Sequence, residues 1–134
     1  MNVIATTVQQ NGGKIIGVSM ELLRKSAREG ADIMIIAKDL NHRKAIMIER
    51  ADAFVALVGG TGTLDEVMEV LELKTLGEHK KPIVFLNTDG FYDGLRSQFD
   101  TMKAGNFLHQ PMDGLIRFIN TPREVLEYIE SHGK

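Results

Sequence analysis

An α/β fold built on a parallel sheet is predicted by two features of the sequence. Five short runs rich in Val and Ile are apolar along their whole length, and most of the segments around them have helical spacing. Strands of that kind are buried on both faces, as in a doubly wound sheet covered by helices. The chain opens on a helical pattern over 2–10, almost directly after Met1, where a doubly wound domain usually opens with its central strand and a ligand-binding turn. "KIIGVS" (14–19) is the first strand and "DIMIIA" (32–37) the second. Between them, 21–29 reads as a helix, although "EGAD" fits an irregular connection equally well. A helix over 42–50 leads to the strand "AFVALV" (53–58), then a helix over 63–76 to the strand "PIVFLN" (82–87). A helix over 92–102 precedes the strand "LIRFIN" (115–120), and the last helix spans 122–131 with Pro122 at its first position and Thr121 as its cap. With no internal repeat, low-complexity tract or linker, 1–134 reads as a single domain.

Composition narrows the function. A chain of 134 residues, 43% hydrophobic and 25% charged, is that of an ordinary globular domain. Its net charge of -2 lacks the electrostatic grip that nucleic acid or an anionic membrane surface requires, so neither is an expected partner. The absence of cysteine removes disulfides, thiol catalysis and thiolate metal sites, and is compatible with a reducing cytoplasm. His42, His79, His109 and His132 show no metal-ligand spacing, and no metal is expected. No basic region followed by a long apolar core opens the chain, and no apolar run approaches the roughly 20 residues that span a bilayer. A cytoplasmic location is expected.

The stretch "ADAFVALVGGTGTLDEVMEV" (51–70) carries the main candidate site. Ligands of an open parallel sheet lie beyond the carboxyl ends of its strands, where Gly59, Gly60, Thr61, Gly62 and Thr63 fall. Glycines allow a sharp turn and a close approach, and the first N–H groups of the following helix favour an anion. A phosphate is the natural guest, yet a tight strand-to-helix connection explains the glycines as well. The stretch is not a Walker loop, and Asp65 stands where a dinucleotide fingerprint needs its third glycine. "TLDE" (63–66) reads as a capping box in which Thr63 caps the helix and Glu66 reaches back to it. Leu64, Val67, Met68 and Leu71 form the apolar stripe. On pattern alone, Glu66 is a cap before it is a catalyst.

A second constellation is "LNHRKAIMIERAD" (40–52). Arg43 and Lys44 stand in the first turn of the helix after the second strand, where cations oppose the helix dipole. Such a pair is either solvated or paired with an anion. If the second and third strands are neighbours, Arg43 would face the glycine loop and offer a bidentate partner to a phosphate or carboxylate.

These residues resemble a known family. The "RK" at Arg43 and Lys44, the segment "ADAFVALVGGTGTLDE" and "KPIVFLNTDGFYDGL" (81–95) are similar to the Lonely Guy proteins, cytokinin riboside 5'-monophosphate phosphoribohydrolases often labelled lysine decarboxylases. The family pattern is PGGxGTxxE preceded by an Arg-Lys pair, with Val58 standing here where proline is usual. The resemblance covers essentially the whole chain, including "TPREVLEYIES", and implies a Rossmann-like fold without a cofactor. No lysine sits in a recognisable pyridoxal phosphate site, so the decarboxylase label finds no support. The implied reaction is hydrolysis of the N-glycosidic bond of a nucleoside 5'-monophosphate, a cytokinin riboside monophosphate or AMP, to free base and ribose 5-phosphate. Arg43 and Glu66 match the catalytic positions, and Gly59, Gly60, Thr61, Gly62 and Thr63, with Lys44, the phosphate site. Asn87 and Asp89 of "NTDGFYDG" either line the pocket or form a turn.

Members of the family normally begin with a strand, a glycine-serine turn, a helix and a second strand, and this chain begins just after the second turn. The expectation is a homodimer or higher homo-oligomer, rearranged or swapped, a partner chain supplying the missing half, or a sequence whose start is lost. Two other functions compete with hydrolysis: non-catalytic binding of a nucleotide or of a molybdenum cofactor, and an inactive remnant that only oligomerises.

Overall fold

The computed structural model describes residues 2–22 and 30–132. The described helices are α1 (Asn2–Gln10), α2 (Leu40–Arg50), α3 (Thr61–Thr75), α4 (Asp93–Ala104) and α5 (Pro122–His132), and the strands β1 (Ile16–Met20), β2 (Ile33–Ala37), β3 (Phe54–Ala56), β4 (Ile83–Leu86) and β5 (Arg117–Ile119), with a helix between consecutive strands from β2 onward. All the strand pairs are parallel, which bears out the expected α/β class. The strands are shorter than the apolar runs, because the flanking residues serve the turns. The expected helix over 21–29 lies outside the described residues except at Glu21 and Leu22, which form a single 3-10 turn. The chain forms two compact units, Met1–Arg50 and Ala51–Lys134. β2 pairs with β1 and β3 with β4. No ladder among the described residues joins β2 to β3, which the sequence led us to expect as neighbours.

In the first unit, Ile16 to Met20 run in register with Ile33 to Ala37, and α2 packs on both strands. Ala5 and Ala37 are buried, but Ile16, Ile33, Met34 and Ile36 are exposed and α2 buries no side chain. Polar ties do much of the holding. Asp32 Oδ2 accepts the Ile15 N–H at 2.7 Å and Gln9 Nε2 at 3.0 Å, linking α1 to the starts of both strands.

In the second unit, β4 is the central strand of the order β3-β4-β5, with Val84 opposite both Val55 and Arg117. Ile83, Val84 and Phe85 are fully buried. Val67, Val70 and Leu71 of α3, Phe99 of α4 and Val125 of α5 join them in the core, with Ala56, Tyr92, Leu115 and Ile116. Phe85 stacks on Phe118 with ring centroids 5.0 Å apart. α3 ends with Gly77 in the left-handed region (φ 83°), so that the Glu78 N–H bonds the Leu73 carbonyl and the Gly77 N–H that of Lys74. Asn106 (φ 58°) ends α4 in the same manner. Thr121 caps α5 as expected: the Glu124 N–H donates to Thr121 Oγ1 at 3.4 Å, and Thr121 Oγ1 donates to Glu124 Oε2 at 2.6 Å.

Candidate functional site

β3 stops at Ala56, four residues carry the chain across the carboxyl end of the sheet, and α3 begins at Thr61. The helix thus starts two residues before the expected 63, and its N-cap is Gly60 in extended backbone (φ -96°, ψ -155°) with no side-chain cap bond. The expected capping box at Thr63 is therefore corrected. Thr63 already lies inside the first turn, because the two glycines at 59 and 60 let the chain enter the helix directly from the strand end. Its side chain folds back over the loop instead, where a Cβ on Gly59 would run into Thr63 Oγ1. Gly59 is thus required for close approach. Gly60 and Gly62 have nothing within 4 Å of a Cβ position, so this side of the loop is open.

Within the helix the first backbone bond runs from the Leu64 N–H to the Gly60 carbonyl. The N–H groups of Thr61, Gly62 and Thr63 precede it and have no acceptor in a preceding helical turn. No acid occupies the first turn. This end of α3 presents the positive end of the helix dipole, which suits an anion. Glu66 is half-buried one turn further, on the face that Gly62 and Thr63 share at i-4 and i-3. Helical side chains lean toward the N-terminus, which here is the loop end of the helix. The stripe beside it is core, with Val67 and Leu71 buried and Val70 joining them.

Arg43 and Lys44 are both half-buried on α2 of the first unit. That helix begins at Leu40 rather than 42, because Asp39 Oδ1 accepts the His42 N–H at 2.7 Å and caps it. His42 Nδ1 accepts the Lys38 N–H at 3.2 Å in return. Arg43 Nε donates to the Val18 carbonyl of β1 at 2.9 Å, so the guanidinium is oriented by the sheet rather than solvated at random.

Asn87 and Asp89 belong to a tight turn after β4. Asp89 is exposed with φ 53°, and Asn87 is buried with its side chain bonded within the turn. The turn borders an open pocket of about 390 Å³ at the carboxyl ends of β4 and β5, lined also by Asp93, Arg96 and Asn120. Arg96 and Asn120 were not singled out from the sequence. Their only signal was position, since Asn120 directly follows β5 and Arg96 lies in the first turn of α4, the helix after β4. At the amino ends of these strands a second pocket, about 380 Å³, is bordered by Lys74, His79, Lys80 and His132. There Lys74 Nζ donates to the Leu115 carbonyl, and the His79 ring is held between the Val70 carbonyl and the Lys81 N–H. Burial pushes the pKa values of both Lys74 and His79 down. Among the described residues no three His, Asp or Glu side chains converge as a metal site would, and no helix is long and apolar enough to cross a membrane.

Parallel strands alternating with helices, and a glycine loop leading from a strand's carboxyl end straight into a helix, define a Rossmann-like α/β protein. Residues 1–129 match the family described as "Possible lysine decarboxylase". Over 134 residues the chain is 37% identical to a probable cytokinin riboside 5'-monophosphate phosphoribohydrolase of Oryza sativa subsp. japonica, covering 98% of this chain and 60% of that protein. A cytokinin riboside 5'-monophosphate phosphoribohydrolase of the same organism is 36% identical, with 98% of this chain and 55% of the relative covered. A probable phosphoribohydrolase of that kind from Arabidopsis thaliana is 34% identical over 138 residues, covering 98% of this chain and 69% of the relative. The chain belongs to this family, the one that the Arg-Lys pair and the glycine loop resemble. It spans little more than half the length of the two rice relatives.

Proposed function

We propose that the chain hydrolyses the N-glycosidic bond of a nucleoside 5'-monophosphate, a cytokinin riboside monophosphate or AMP, releasing the free base and ribose 5-phosphate. The observation that carries this reading is Glu66, one turn inside the helix that opens directly from the glycine loop. The kinship with phosphoribohydrolases supports it. Gly59, Gly60, Thr61, Gly62 and Thr63 hold the 5'-phosphate through backbone N–H groups, and Lys44 adds positive charge. As the bond from C1' to the base nitrogen breaks, its electron pair leaves with the base and C1' gains oxocarbenium character. The Glu66 carboxylate stabilises that cation and takes a proton from the water that attacks C1'. Arg43, oriented through its Nε, binds the nucleotide and stabilises the negative charge developing on the base, which takes up a proton from solvent while Glu66 releases to solvent the one it took from the attacking water. No cofactor enters these steps.

The protein acts as one nucleotide-binding domain in the cytoplasm, as a homodimer or higher homo-oligomer. Exposed Ile33, Met34 and Ile36 on β2 support the assembly, since parallel strands are ordinarily covered. Incubation with AMP and with isopentenyladenosine monophosphate, followed by assay of free base, tests the activity. Release that falls about 10²- to 10⁴-fold in Glu66→Gln supports hydrolysis with Glu66 at the centre. Binding of both nucleotides without release of base refutes it. Light scattering coupled to gel filtration tests the assembly, and a monomer at micromolar concentration refutes it.

A further inference from the structure

A buried chain of hydrogen bonds starts in the turn after β4 and ends on the residue that feeds the glycine loop. Asn87, 4% exposed, donates its backbone N–H to the Ile119 carbonyl at 2.7 Å and its Nδ2 to Asp93 Oδ1 at 2.8 Å. Its Oδ1 accepts the Tyr92 N–H at 2.6 Å. With both ends of the amide committed, Asn87 fixes the backbone of Tyr92 at the start of α4. The Tyr92 ring is 3% exposed and packs edge-on against Phe85, with centroids 5.0 Å apart. Its hydroxyl donates to the Leu57 carbonyl at 2.5 Å. Leu57 lies one residue beyond Ala56, the last paired position of β3, and two before Gly59. Burial pushes the Tyr92 pKa up, which keeps the hydroxyl protonated and a donor.

We infer that Tyr92 is a positioning residue for the glycine loop. By holding the Leu57 carbonyl while Asn87 holds its own backbone, it fixes the direction in which residues 59–63 leave the sheet, and so tunes the loop for phosphate. This rests on the phosphate-binding role given to the loop above. The physical logic is that flexible glycines provide room but no direction, so the last rigid point before them sets where their N–H groups aim. A bond to the half-buried Leu57 carbonyl supplies that point.

The test is Tyr92→Phe, which keeps the ring and removes the hydroxyl. Affinities for inorganic phosphate and AMP are measured by calorimetry, and the backbone amides of 59–63 by NMR in the free protein. Expected are binding about three- to tenfold weaker and shifted amide signals for Gly59 and Gly60. Val125→Ala, a core truncation in α5, serves as the stability control and should leave affinity unchanged. Asn87→Ser releases the Tyr92 N–H without touching the ring and should weaken binding in the same direction, which keeps the test open if Tyr92→Phe does not fold. Wild-type affinity and unmoved loop amides in Tyr92→Phe overturn the positioning role while leaving the phosphate site intact. An equal loss of affinity in Val125→Ala overturns it as general destabilisation. If the wild-type protein binds neither inorganic phosphate nor AMP, the phosphate reading itself fails and the inference with it.

Discussion

The two units share parallel strand pairing and are held in different ways. In Ala51–Lys134 a third strand gives the sheet an interior, so Ile83, Val84 and Phe85 of β4 are wholly removed from water. Among the described residues of Met1–Arg50 the sheet has two strands, β1 and β2, and Ile33, Met34 and Ile36 of β2 remain exposed. What secures this unit is a set of polar ties: Asp32 to Ile15 and Gln9, Arg43 to Val18, and Asp39 to His42. The lesson is that equally apolar strands gain unequal burial, because burial depends on how many neighbours each strand has.

Truncating the core in each unit should show the largest contrast. Phe85→Ala is expected to cost about 3–5 kcal/mol in urea denaturation, whereas Ile36→Ala, 39% exposed, should cost less than about 1.5 kcal/mol. Equal losses at dilutions that keep the chain monomeric would break the comparison, whereas a larger Ile36→Ala cost confined to concentrations where the chain assembles would show β2 covered by the proposed assembly. Helix caps should behave alike in the two units, since capping is local. Asp39→Ala and Thr121→Ala should each cost about 0.5–2 kcal/mol in thermal unfolding, while Thr63→Ala, inside α3, should forfeit no cap. A capping loss at Thr63 would restore the box that the sequence suggested.

The smallest effect is in pH, and it separates the units by window. His79 is held below its ordinary 6.5 by burial first, with Lys81 and Lys74 adding and the Val70 bond opposing. A depressed histidine favours the folded state at high pH, so this contribution is present above 6.5 and is lost as pH falls through the folded value. Amide exchange at Lys81 should therefore accelerate as the pH drops below about 6.5, once corrected for intrinsic rates. Asp32 is held below its ordinary 3.8, chiefly by the Ile15 N–H and next by Gln9. Its contribution is present above 3.8 and is lost only as pH falls further, so protection at Ile15 should outlast that at Lys81. Loss of protection in the reverse order would contradict these assignments.

Much of this was legible in the sequence. α1 occupies the expected 2–10, four of the five apolar runs contain a strand and the first overlaps β1 over 16–19, and Thr121 caps α5, because each depends on local periodicity or a local bond. The two Thr-x-x-Glu boxes show where that legibility stops. They read alike, yet only Thr121 caps, because the glycines before Thr63 let α3 start earlier, a choice made by how the chain leaves β3. By itself the sequence determined the α/β class, the location of the glycine loop and the family to which the Arg-Lys pair and loop point. Only the tertiary structure decided which strand is buried, that Asn87 serves the turn, and that Tyr92 reaches 35 residues back to Leu57. Burial and long-range bonds depend on which segments become neighbours, and residue patterns along the chain do not encode that directly.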